Sequence, residues 1–114
     1  MVAPAASGGP SGNQDMSAAP LTVIAVITAK EGQETALRAL QEKLVAETHK
    51  EDGCLRYELN QSLDDGRILI FVETWETEAK WRAHIDGAAL ANFAAAGGGD
   101  LIADKVIHRM AKVA

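Results

Sequence analysis

Residues 21–29 read Leu21-Thr22-Val23-Ile24-Ala25-Val26-Ile27-Thr28-Ala29. The stretch is β-branched and apolar and has the length of one strand. Leu21, Val23, Ala25 and Ile27 face one way, and Thr22, Ile24, Val26 and Thr28 face the other. Both faces carry aliphatic side chains. In a small antiparallel sheet one face is normally wet, so such a strand needs cover on two sides. The chain's own helices can give one cover, and a second molecule the other.

On the C-terminal side, Lys30-Glu31-Gly32 breaks the strand. Residues 33–50 then place Ala36, Leu37, Leu40, Leu44 and Val45 at helical spacing, with Gln33, Glu34, Arg38, Gln41, Glu42 and Lys43 on the polar face. Glu51-Asp52-Gly53 ends that helix. A second strand over 54–62 sets Leu55, Tyr57 and Leu59 opposite Arg56, Glu58 and Asn60. Asp64-Asp65-Gly66 signals a hairpin turn. A third strand over 67–75 alternates Ile68, Ile70 and Val72 with Leu69, Phe71, Glu73 and Trp75. Thr77 is an expected N-cap for a short helix ending near His84. Asp86-Gly87 separates it from a second helical piece, 88–96, which Gly97-Gly98-Gly99 stops. Residues 101–113 form the last strand. The order strand, helix, strand, strand, helix, strand predicts an α+β, ferredoxin-like βαββαβ domain, an antiparallel sheet with helices on one face. Its bare sheet face predicts a homodimer with the two sheets stacked.

The 114 residues suffice for one domain, here 21–113. The segment 1–20 holds all 3 prolines and has no apolar period, so it is expected to be a flexible tail, or one ordered only by packing; Met16 is an alternative start. A net charge of −5 argues against nucleic acid and against an anionic membrane surface as partners. No apolar run is long enough to span a bilayer, and no basic segment precedes an apolar one as in a secretory leader. The single cysteine, Cys54, allows no internal disulfide and reads as a small apolar residue in a reducing cytoplasm. Its other reading, a nucleophile, has only the nearby Arg56 in its favour.

The chain resembles the antibiotic-biosynthesis monooxygenase family over residues 21–113. The resemblance rests on the joint order of Lys30-Glu31-Gly32, Glu51-Asp52-Gly53-Cys54-Leu55-Arg56-Tyr57, Glu73-Thr74-Trp75-Glu76, Ala83-His84 and Leu90-Ala91-Asn92-Phe93. It implies a dimeric α+β barrel. It also implies a cofactor-independent monooxygenase that oxidises a phenolic or quinol substrate with O₂ to a quinone. The same scaffold hosts haem-degrading enzymes and a non-oxidative isomerase, so the fold constrains the reaction only loosely. A non-oxidative isomerase and a non-catalytic aromatic-ligand-binding or stress-related protein are the alternatives. Two departures bear on this. Ala89 stands where many members carry a second histidine. Ala25 lies near the position of an asparagine that haem-degrading relatives use.

His84, with an ordinary pKa of about 6.5, suits a general base. A helix-terminal histidine with a structural hydrogen bond is the other reading, and the resemblance favours the base. Trp75 has an indole N–H to offer a substrate oxygen and a ring to stack on an aromatic, or is a core aromatic. Glu73 shares its strand face and is expected to orient His84 or a donor, or to sit in a structural pair. Asn60 and Arg56 are candidate donors to a developing phenolate, with a solvated face as the alternative for Arg56. Tyr57 reads as packing. Phe71, Trp81, Leu90 and Phe93 are the expected wall of the substrate pocket. His49 reads as a solvated helix-end residue, and His108 as a strand residue near the dimer seam. No His, Asp and Glu set has metal-ligand spacing, and no cofactor is expected.

Overall fold

The computed structural model describes residues 19–114. The tail expected over 1–20, Met16 included, lies outside the described residues except for Ala19 and Pro20. The elements run β1 (Leu21–Ala29), α1 (Glu34–Thr48), β2 (Cys54–Gln61), β3 (Ile68–Trp75), α2 (Glu78–Ile85), α3 (Ala88–Ala95), a 3-10 turn (Gly98–Leu101) and β4 (Ile102–Met110). The four strands form one sheet in the order β2-β3-β1-β4, with every pairing antiparallel. This is the α+β, ferredoxin-like βαββαβ arrangement the hydrophobic pattern predicts. The last strand is shorter than expected: it stops at Met110, and Val113 lies beyond it in solvent.

β1 and β3 carry the core because their inner parities are almost wholly apolar. Val23, Ala25, Ile27 and Ala29 of β1 are buried, as are Leu69, Phe71 and Trp75 of β3. The outer parities, Ile24 and Val26 with Ile70 and Val72, are only half-buried, and across this face Val106 of β4 is exposed. α1 lays Leu37 and Leu44 onto the core.

Local chemistry sets the connections. Ser62 Oγ accepts from the N–H groups of Asp64 and Asp65, and Asp65 Oδ1 accepts from Arg67 N–H, which closes the β2–β3 hairpin. Thr77 caps α2 by accepting from Lys80 N–H at 3.2 Å. Gly53 joins the α1 turn to β2 at φ +84°, where a Cβ would also collide with the Lys80 side chain. A register shift after Cys54 disturbs the alternation of β2, and Leu55, expected beside Tyr57, is 58% exposed.

Candidate functional site

Between the inner face of the sheet and the helices lies a cavity of about 390 Å³. That is within the range of small-molecule sites. Val23, Ala25 and Ile27 of β1 form its floor, and the small Ala25 side chain leaves room above the strand. Phe71, Trp81, Leu90 and Phe93, the four residues expected to wall a pocket, all line it, as does Tyr57. Phe93 is seated on Gly98, where any Cβ would run into the ring.

His84 lies on the last turn of α2, is 3% exposed and faces this cavity. Its Nδ1 is 2.6 Å from Oε1 of Glu51. A carboxylate only accepts, so Nδ1–H donates, and in the neutral ring Nε2 keeps its lone pair. The ring packs on Trp75, centroids 4.8 Å apart, and meets Tyr57 at 65° and 5.3 Å. Burial pushes the imidazole pKa below its usual 6.5, and the Glu51 hydrogen bond and charge oppose that shift. The net result is an imidazole that stays neutral at neutral pH.

Glu73 also lines the cavity and is buried. Its Oε1 accepts the Trp75 indole N–H at 2.9 Å. Burial raises its pKa from 4.5 to about 7, against the lowering effect of that bond. A carboxyl poised near neutrality therefore shares the chamber with a neutral imidazole. Burial, then the nearby Glu73 charge, pushes the Tyr57 hydroxyl pKa well above its usual value, so Tyr57 is a phenol and a potential donor.

The structure corrects several expectations. Trp75 is wholly buried behind His84 and Tyr57, off the cavity wall, and its N–H is engaged by Glu73. Of the roles expected for Glu73, the structure has the hydrogen bond to a donor, Trp75, and not the one to His84, whose carboxylate partner is Glu51. Asn60 pairs with Ile70 on the outer parity and is exposed, as is Arg56, which bonds Glu58 at 2.9 Å. Strand alternation turns both away from the cavity. Gln41, assigned to the polar face of α1, is buried and lines the cavity. His49 is tethered rather than merely solvated: its Nε2–H donates to the Tyr57 carbonyl oxygen at 2.8 Å. His108 pairs with Ile24 and is exposed on the outer face. Cys54 is half-buried, and burial and then the charges of Glu51 and Glu73 push its thiol pKa up, away from thiolate chemistry.

Glu51, Gln41 and Lys105, which lies on β4 and also lines the cavity, were not foreseen as site residues. Gln41 had a legible signal. Leu37, Gln41, Leu44 and Thr48 are spaced four, three and four apart, a single helical stripe, and all are buried. Glu51 had none, because its partner lies 33 residues on. Among the described residues, no three His, Cys, Asp or Glu converge as a metal-holding group, and no helix is long and apolar enough to cross a membrane.

A family profile described as antibiotic biosynthesis monooxygenase matches residues 20–96. The chain belongs to that family. Its fold is similar to that of PA3566 from Pseudomonas aeruginosa, with a TM-score of 0.79 and 33% identity over 89% of this chain and 100% of that one. It is also similar to the structure of Rv0793 from Mycobacterium tuberculosis, with a TM-score of 0.76 and 28% identity over 84% and 97% of the two chains. In sequence, 52 residues are 38% identical to that Mycobacterium tuberculosis protein, which bears the name "Putative monooxygenase Rv0793". That match takes in 46% of this chain and spans about half, 52%, of the relative.

Proposed function

We propose that the chain is a cofactor-independent monooxygenase that oxidises a phenolic or quinol aromatic with O₂ to a quinone. The observation that carries this reading is His84, neutral and held through Nδ1 by Glu51, with Nε2 free at an apolar, aromatic-walled cavity. Nε2 takes the phenolic proton. The phenolate passes one electron to O₂, and recombination of the radical pair forms a C–O bond at a ring carbon that bears hydrogen. That carbon loses its proton, the O–O bond breaks, and the second oxygen leaves as water. One O₂ is consumed, and one quinone and one water are formed. The aromatic wall holds the ring and excludes bulk water, and Tyr57 and the protonated form of Glu73 supply donors to developing negative charge.

The family name and the name of the Mycobacterium tuberculosis relative support the oxidative reading. Ala89 is buried beside α1, so His84 is the base on this reading, without a second histidine at that position. The outer sheet face, aliphatic at its centre through Ile24, Val26, Ile70 and Val72 and without a helix over it among the described residues, supports a homodimer closed by a second copy of the same face. The free Cys54 fits a cytoplasmic setting.

A second reading, a non-oxidative isomerase, draws on Glu73. A carboxyl titrating at about 7 beside a neutral imidazole gives two proton-transfer groups in one chamber. Hydroquinones, naphthols and anthrones, followed by O₂ uptake and quinone absorbance, separate the readings. The expected result is equimolar O₂ consumption and quinone formation that stops under anaerobic conditions. Turnover that continues without O₂ rejects the monooxygenase.

A further inference from the structure

Gln41 occupies the buried stripe of α1 between Leu37 and Leu44 and forms part of the cavity wall. It is 1% exposed, and neither Oε1 nor Nε2 has a hydrogen-bond partner among the described residues. A buried amide unpaired at both ends is uncommon, because it has given up water and received nothing in return. Leucine or methionine would fill the same place on the helix without that penalty. His84 and Glu73, by contrast, are each held by a hydrogen bond to another side chain. The adjoining cavity is the space from which partners for the Gln41 amide can come, and rotation about the side-chain torsions turns the amide toward it.

We infer that Gln41 determines the ligand specificity of the cavity by reading a neutral donor–acceptor edge, as found on a primary carboxamide, a lactam or a hydroxyl beside a carbonyl. The amide donates from Nε2 and accepts at Oε1, so a matching ligand accepts at one atom and donates from its neighbour. An ionised carboxylate has no proton for Oε1, and a hydrocarbon leaves both ends unpaired. The position also fixes which part of the ligand is read. From Gln41 to Thr48 the helix rises about 10 Å, and His84 meets Glu51 just past that end. Gln41 therefore reads the part of the ligand remote from the proton-transfer end. This inference rests on the reading of the cavity as a site for an aromatic ligand.

Binding of 2-naphthamide and of 2-isopropylnaphthalene, a hydrocarbon of the same shape, tests it, with Trp81 in the cavity wall as the fluorescent reporter. Wild-type protein is expected to prefer the amide by about tenfold or more. Gln41→Met, of similar length and volume, is expected to lose that preference. With no ligand present, Gln41→Met is also expected to melt no lower than wild type, because it removes an unpaired buried amide. An unchanged preference in Gln41→Met, or a variant that melts lower or fails to fold, overturns the assignment to Gln41 while the cavity reading stands. Failure of both probes to bind wild-type protein overturns the cavity reading and this inference with it.

Discussion

His84 Nδ1 and Glu51 Oε1, 2.6 Å apart, link the last turn of α2 to the turn that follows α1. The bond fixes which imidazole nitrogen is protonated and keeps the ring edge toward the cavity. It also places a negative charge where an imidazolium would form during proton abstraction. His84→Ala is expected to lower kcat by about a hundredfold or more. Glu51→Gln keeps an acceptor but removes the charge, so the His84 pKa, already depressed by burial, falls further. The acid limb of kcat/KM against pH should move to lower pH in Glu51→Gln, with a lower plateau. An acid limb at the same pH in both proteins would separate Glu51 from His84.

Glu73 leads to a prediction about stability against pH. Its carboxyl titrates near 4.5 when unfolded and at about 7 when folded. Below 4.5 it is protonated in both states and carries no penalty. As pH rises from 4.5 through about 7, the unfolded chain releases the proton first, so the folded state loses stability over that window, by about 3 kcal/mol. Glu73→Gln, which can still accept from Trp75, should remove this dependence. Urea unfolding at pH 5 and pH 8 should find the variant's advantage larger at pH 8.

Ala25 sits on the cavity floor, with space rather than protein above it. Ala25→Leu is expected to fill that space and weaken binding of an aromatic ligand by about tenfold or more, with no loss of thermal stability. Calorimetric binding and a thermal melt on the same sample check both parts.

Val26 lies at the centre of β1 on the outer sheet face, paired with Ile70 on one side and Val106 on the other. If two copies stack this face, Val26→Asp buries an unpaired carboxylate in each subunit. Sedimentation equilibrium is expected to show a dimer for wild type and a monomer for the variant. A wild-type monomer removes the proposed assembly.

The architecture was legible because strand and helix periods are local. The two parities of β1 and β3 predicted a sheet in need of two covers, and the structure puts the helices on the Val23–Phe71 side. Phe71, Trp81, Leu90 and Phe93 were legible as a wall because large apolar side chains on elements around one core converge. The polar groups were less so. Alternation divided β2 into two faces from Arg56 onward but misplaced Leu55, which the register shift after Cys54 leaves exposed, and Asn60 was assigned to chemistry although its parity lacks the apolar partners of Tyr57 and Leu59. For Trp75 the sequence left two readings, a donor to substrate and a core aromatic, and the structure takes the second because Glu73 engages its N–H. The Glu51–His84 contact depends on how two helix ends meet in space, which no local period encodes.

The bare Cα of Gly98 has a further consequence. The Phe93 ring rests where a side chain would otherwise stand, so even one methyl group added at 98 must displace a ring that lines the cavity. The bore of the chamber is therefore gauged from outside it, by a residue that need never meet the guest. A change at that single position would resize the chamber without altering His84, Glu51 or Glu73.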